Sequence, residues 1–189
     1  MLPRAKGLIF DCDGTLVDSS SAYSDAWRAG FRLSGVEMDA PWYAARNGLS
    51  EHVLMDHFER EYGVVLRRDD VVTTMRRHYL HHLGDHLREV AAVTMIARRF
   101  SGNLPMAVAS GGSKQIVEAS LQALGLTDLF DTIVTFDDVG IAKPNPGLFL
   151  EAAKRLNVPN ELCLVFEDSV QGIEAAQRAN MPCCDIRQL

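Results

Sequence analysis

Asp11 and Asp13 stand two residues apart in Asp11-Cys12-Asp13-Gly14-Thr15-Leu16, directly after the apolar run Gly7-Leu8-Ile9-Phe10. Residues two apart in an extended chain project to the same face, so both carboxylates can address one site. Gly14 allows the sharp turn that such a site needs at a strand end. Two carboxylates this close are costly when buried without a partner, and a hard cation with oxygen ligands offsets them. A pair of turn-forming Asp residues before Gly is the plainer reading of the same stretch. Three other stretches bear on the choice. Ser110 lies in Val108-Ala109-Ser110-Gly111-Gly112-Ser113, where a hydroxyl and backbone N–H groups ahead of a helix can bind an anion. Lys143 lies in Ala142-Lys143-Pro144-Asn145-Pro146, a stiff entry to the next helix, where a solvated lysine is the default. Glu167-Asp168-Ser169 follows Leu164-Val165-Phe166. Two acids there suit a metal, whereas N-capping by Asp168 or Ser169 explains them without one. All four groups at successive strand ends are hard to explain by turns and caps alone.

The elements that must carry these groups are legible as short apolar segments alternating with helical stripes. Candidate parallel strands run Gly7 to Asp11, Pro105 to Ser110, Thr132 to Phe136, Leu162 to Glu167 and Met181 to Ile186. Between the second and the fifth lie helix-period stretches at Ser113 to Leu124, Pro146 to Leu156 and Ser169 to Ala179. That alternation predicts an α/β fold with a doubly wound parallel sheet. The interval between the first two strands is about ninety residues, far beyond an ordinary crossover. It holds helical patterns at Ser20 to Ser34, Ser50 to Tyr62 and Asp69 to His82, and no convincing strand. The expected organisation is a core of residues 1–16 and 89–189, with a small α-helical cap, 17–88, inserted after the first strand. Val90 to Phe100 returns the chain to the core. Such an insertion leaves from the carboxyl end of a strand, where open α/β sheets bind ligands.

Composition narrows the class. The chain has 189 residues, 47% of them hydrophobic, and carries 19 Lys+Arg against 25 Asp+Glu, a net charge of -6. That allows one domain with an insertion and excludes disorder, collagen and coiled coil as the dominant state. It offers no global attraction for nucleic acid, while an anionic metabolite needs only a local concentration of positive groups. No run approaches about 18 uninterrupted apolar residues, so no membrane span is expected. Cys12, Cys163, Cys183 and Cys184 show no C-x-x-C spacing and read as reduced thiols of a cytoplasmic protein. His78, His81, His82 and His86 are dense, with His78 and His82 at i, i+4. No accompanying Glu makes a zinc motif, so a solvated helix face is expected. Trp27, Trp42, Tyr43 and Phe58 read as core of the helical insertion, and Arg46 as a surface ion pair or a contact to an anion. No glycine-rich nucleotide fingerprint occurs.

Together, Asp11-x-Asp13-Gly14-Thr15-Leu16, Ser110, Lys143 before Pro144 and Glu167-Asp168 resemble the four ordered motifs of the haloacid dehalogenase superfamily. Val17-Asp18, Ala26-Trp27-Arg28, Asn47-Gly48 and Val165-Phe166-Glu167-Asp168-Ser169 resemble its β-phosphoglucomutase-like branch. The short cap and the ending Cys184-Asp185-Ile186-Arg187 are similar to small sugar phosphatases of the fructose-1-phosphatase type. The resemblance implies a Mg²⁺-dependent phosphatase of small phosphorylated metabolites, with no nucleic-acid or membrane partner and a monomer compatible with its size. Asp11 would attack phosphorus and form an aspartyl-phosphate, with Asp13 as general acid and then base. Asp11, the Asp13 carbonyl and Asp168 would hold Mg²⁺, with Glu167 a ligand or a partner behind the ligands. Ser110 and the Gly111 N–H would bind phosphoryl oxygens, Lys143 would neutralise charge, and Asn47 and Gly48 would contact substrate. The branch's mutases carry a His where this chain has Tyr23, and an Arg where it has Ser50-Glu51. Those departures favour hydrolysis over the rival mutase reading. A phospho-Asp receiver switch needs neither Asp13 nor a cap, and dehalogenation needs neither Mg²⁺ nor the second Asp.

Overall fold

The computed structural model describes residues 4–189, so the first three residues of the expected core segment lie outside the described residues. The chain forms two compact units. One comprises the residues up to Asp18 with Arg88–Leu189, and the other is Ser19–Leu87.

The first unit is built on a five-stranded sheet in the order β5-β4-β1-β6-β7, with every pairing parallel. Its strands are β1 (Gly7–Phe10), β4 (Met106–Ala109), β5 (Thr132–Val134), β6 (Cys163–Glu167) and β7 (Cys183–Asp185). β1, β4 and β6 are buried on both faces, which is why they read as continuous apolar runs rather than alternating ones. β1 is central, with Phe10 opposite Val108 of β4 and Phe166 of β6. Chain order reverses beside β1, the position where doubly wound sheets open a ligand crevice at their carboxyl edge. Helices α6 (Ala91–Phe100), α7 (Lys114–Ala123), α9 (Gly147–Leu156) and α10 (Val170–Arg178) alternate with the strands. One sheet face presents Ile9, Ala107, Ala109 and Val165 to Leu148, Phe149, Ala152 and Ala153 of α9 and to Ala175 and Ala176 of α10. Residues of the other parity meet on the opposite face, where Phe10 stacks on Phe166 at 4.7 Å.

Two sequence expectations change here. The strand expected to reach Phe136 stops at Val134, because Thr135 caps a short helix, α8 (Phe136–Val139). The Thr135 N–H and hydroxyl both donate to Asp138 Oδ2, at 2.8 and 2.9 Å. The interval read as free of strands is bounded by a two-residue antiparallel ribbon, β2 (Val17–Asp18) with β3 (Arg88–Glu89). Two residues give no periodicity to read.

The second unit is helical: α1 (Ser20–Phe31), α2 (Ala40–Ala44), α3 (Glu51–Tyr62), α4 (Arg68–His81) and α5 (Leu83–His86). Phe31 stacks on Phe58 at 3.9 Å and on Trp27 at 5.2 Å, while Trp42 meets Phe58 edge-on at 5.6 Å. Trp27, Tyr43 and Phe58 are buried and Trp42 is half-buried, so these aromatics form the unit's core. The expected histidine face is only partly solvated, with His81 exposed. His78, His82 and His86 are half-buried, His78 stacks on His82 at 4.3 Å, and His86 lies 3.7 Å from Asp25. Burial pulls the His78 imidazole below its ordinary value, and His82 adds to that.

Candidate active site

Strand parity brings the first and fourth motifs together. Ile9 pairs with Val165, so two residues on, Asp11 and Glu167 stand side by side on the same face at the carboxyl edge. The Asp11 N–H donates to Phe166 O at 3.0 Å and fixes this register. Lys143 bridges them: its Nζ donates to Asp11 Oδ1 at 2.5 Å and to Glu167 Oε1 at 2.7 Å. All three are nearly shielded from water, with 8%, 1% and 10% of the Asp11, Glu167 and Lys143 side chains exposed. The lysine stem also packs beside α9, placing Nζ 4.9 Å from the centre of the Phe149 ring.

Asp168 completes the cluster. It receives the Thr15 hydroxyl at 3.1 Å on Oδ1. A Cβ at Gly14 would lie 2.3 Å from Asp168 Oδ2, and Gly14 holds φ at +85°, so the position demands glycine on both counts. The turn is closed by the Thr15, Leu16 and Val17 N–H groups, all donating to Cys12 O, and by Gly14 N–H donating to Val17 O at 2.7 Å. Glu167 is held from the far side. Its Oε2 accepts the Ser169 N–H at 2.7 Å and the Ser169 hydroxyl at 2.9 Å.

Among the described residues, Asp11, Glu167 and Asp168 alone form a group of three metal-ligating side chains with donor atoms within 4.8 Å of one another. Their three carboxylates face one ammonium, an excess of two negative charges in a buried place. Burial raises the Asp11 carboxyl well above its ordinary value, partly offset by Lys143 and reinforced by Glu167 and Asp168. Burial likewise raises Asp168, with Glu167 adding to it. Burial pulls the Lys143 ammonium down, but Asp11 and Glu167 outweigh it, and the net shift is upward. A small oxygen-loving divalent cation is the group that this donor set and this charge imbalance fit.

The remaining expected residues fall as follows. Asp13 follows the strand, half-buried, and forms a β-bridge with Val17. Its charge joins burial in raising the Cys12 thiol. Ser110 lies one residue beyond the level of Asp11 on the neighbouring strand, buried, and its Oγ accepts the Gly112 N–H at 3.0 Å. Gly111 beside it is exposed. Asn47 and Gly48 belong to the helical unit and are also exposed. The Asn47 amide is held within that unit, donating to Ser20 Oγ at 2.9 Å and accepting from the Tyr43 hydroxyl at 3.3 Å. Arg46 stacks on Trp42 and pairs with Glu61 at 2.6 Å, the surface ion pair of the two readings. Sequence reasoning missed Thr15 as the partner of Asp168, and saw in Ser169 only a cap. Ser169 is a cap, accepting the Gly172 N–H at 3.0 Å, and it holds Glu167 as well.

A family model for haloacid dehalogenase-like hydrolases matches residues 5–180. The chain belongs to that family, and it is an enzyme of the hydrolase class. Over 196 aligned residues it is 33% identical to the fructose-1-phosphate phosphatase YqaB of Escherichia coli, with both chains covered in full. It is 29% identical over 182 residues to the 6-phosphogluconate phosphatase of Escherichia coli, spanning 95% of this chain and 81% of that one. The solved structure of CbbY from Rhodobacter sphaeroides in complex with phosphate superposes with a TM-score of 0.85. It covers 95% of this chain and 84% of that one at 24% identity, a likeness of fold. No helix among the described residues is long and apolar enough to cross a membrane.

Proposed function

We propose that the protein is a cytoplasmic, Mg²⁺-dependent phosphatase of small phosphorylated metabolites, with sugar phosphates such as fructose 1-phosphate as the substrate class. The observation that carries this reading is the buried Asp11–Lys143–Glu167 bridge with Asp168 beside it. Full-length similarity to a fructose-1-phosphate phosphatase supports the substrate class. Similarity to named phosphatases at about 30% identity favours hydrolysis over phosphosugar isomerisation.

Asp11 is assigned as the nucleophile. One carboxylate oxygen forms a bond to phosphorus while the bond from phosphorus to the sugar oxygen breaks, leaving an aspartyl-phosphate. Asp13, two residues on, gives its proton to the departing sugar oxygen. It then takes a proton from the water that attacks the phosphoenzyme, which frees inorganic phosphate and restores Asp11. Lys143 keeps Asp11 oriented and balances the charge that it shares with the phosphoryl group. Ser110 and the Gly111 N–H hold phosphoryl oxygens, a role suited to their place ahead of α7. Asp11, Asp168 and the Asp13 carbonyl would hold Mg²⁺, with Glu167 beside them; bound there, the ion neutralises negative charge on the phosphoryl group. Asn47 and Gly48 of the helical unit are assigned as substrate contacts.

A screen of phosphorylated metabolites, scored by phosphate release with and without Mg²⁺, tests the reading. Release from hexose phosphates that stops on chelation supports it. Interconversion of glucose 1- and 6-phosphates without net release would replace it with the mutase reading, and a stable phospho-Asp11 with that of a receiver switch.

A further inference from the structure

We propose that Ser169 is a positioning residue for Lys143, acting through Glu167, and that Gly172 supplies the space this requires. The inference rests on the proposed function only in taking Lys143 to serve the phosphoryl group. Capping a helix asks a serine only to accept a hydrogen bond from the first turn. Ser169 does that, taking the Gly172 N–H at 3.0 Å. The same contact fixes its hydroxyl direction, and its single proton goes to Glu167 Oε2 at 2.9 Å, beside the Ser169 N–H at 2.7 Å. The Glu167 carboxylate thus lies on the amino end of α10, a nine-residue helix whose dipole favours negative charge there. No other side chain leaves room for it: a Cβ at position 172 would lie 1.7 Å from Glu167 Oε1 and 2.5 Å from Oε2.

With Oε2 pinned by Ser169, Oε1 can face only one way, toward Lys143 at 2.7 Å. Lys143 passes the constraint to Asp11. A continuous run of hydrogen bonds therefore links the Gly172 amide and Ser169, through the accepting Glu167 carboxylate, to the lysine, which donates to Glu167 and to the nucleophile. A lysine stem has four rotatable carbons and no geometry of its own, so the order of its ammonium must come from its acceptors. Partners one step behind a reacting group typically change rates by about 10- to 100-fold when removed.

The test uses the full-length, metal-free protein and a lysine-directed acylating reagent, with modification of each lysine followed by peptide mass spectrometry. Exposed Lys154 serves as the internal reference. Ser169→Ala should raise the labelling rate of Lys143 severalfold relative to Lys154, while Ser169→Thr, which keeps the hydroxyl, should label like the wild type. In turnover assays Ser169→Ala should lose about 10- to 100-fold in kcat with KM little changed, again restored by Thr. Should Ser169→Ala fail to fold, the isosteric pair Ser169→Val and Ser169→Thr gives the same comparison at constant shape. Equal Lys143 labelling in folded hydroxyl-free and hydroxyl-bearing variants would reduce Ser169 to a helix cap and overturn the proposal. Labelling needs no substrate, so it decides the matter even if no phosphate is released from any compound, an outcome that would instead sink the proposed function.

Discussion

Lys143 and Arg68 each bridge two carboxylates, and they do opposite things. Lys143 joins Asp11 to Glu167 in the first unit, and Arg68 joins Asp56 to Glu59 in the helical unit. The distances are alike, with Arg68 Nη2 donating to Asp56 at 2.5 Å and also to Glu59. Burial is not: the Arg68 and Asp56 side chains are 37% and 49% exposed. Hydrogen bonds from Arg68 hold both Asp56 and Glu59 below the ordinary carboxylate range. Asp11, paired just as closely, is pushed above it, because loss of water outweighs the pairing. The Arg68 bridge ties the start of α4 to α3. The Lys143 bridge gathers carboxyl groups where burial disfavours their charge, an arrangement that clusters at functional sites.

Substitutions can sharpen this contrast, beginning with the largest effect. Asp11→Asn should lower phosphate release by at least about 10³-fold, with an unchanged far-UV circular dichroism spectrum. Arg68→Ala should leave kcat within about twofold, since exposed pairs contribute little. Comparable losses in the two variants would dissolve the distinction. Next come two glycines with positive φ. Gly14→Ala meets Asp168 Oδ2 and should cost about 10- to 100-fold in kcat. Gly63→Ala, at φ +65° with nothing within 4 Å, should cost only backbone strain. That is a fall in melting temperature of about 2–8 °C with full activity.

A third effect concerns stability and pH. The folded pKa of Asp11 lies above its unfolded value, so between the two the folded chain keeps a proton that the unfolded chain has lost. Raising the pH through that window removes stability. In metal-free protein, Asp11→Asn should therefore melt above wild type at neutral pH, and the gap should close as the pH falls toward the ordinary carboxylate range. A variant that melts lower at neutral pH would show pairing, not desolvation, in control. The smallest effect has the other sign. Asp56 and Glu59 are depressed in the folded state, so their contribution is complete above the ordinary carboxylate range and vanishes as pH falls through the folded values. Arg68→Ala should melt about 1–2 °C below wild type at pH 7, and the two should converge in strong acid.

What the sequence disclosed follows the same division. β1, β4 and β6 were readable to within a residue or two because strands buried on both faces leave unbroken apolar runs. Asp11 and Glu167 were readable as strand-end acids, and strand parity with a parallel register suffices to bring them together. The β2–β3 ribbon was not readable, since its two residues per strand acquire partners only when distant chain meets. Nor was the half-burial of His78 and His82, which depends on how α4 packs and not on its own spacing. Ser169 shows a subtler limit. Its type and position announced a cap correctly, and nothing local revealed that its proton is given to Glu167.

The place of β1 has a consequence for the making of the protein. Residues 7–10 leave the ribosome well ahead of their neighbours in the sheet, residues 106–108 and 163–166. At about 5–20 residues per second, the second neighbour follows on the order of ten to thirty seconds later. Until β4 is made, β1 is an apolar strand with neither edge's partner available, and until β6 is made one edge still lacks its partner, while the contiguous Ser19–Leu87 segment already has all its own partners within reach. Synthesis therefore completes the helical unit before the sheet can close. A nascent chain stopped short of β6 exposes Leu8, Ile9 and Phe10, making β1 the segment for a chaperone to shield.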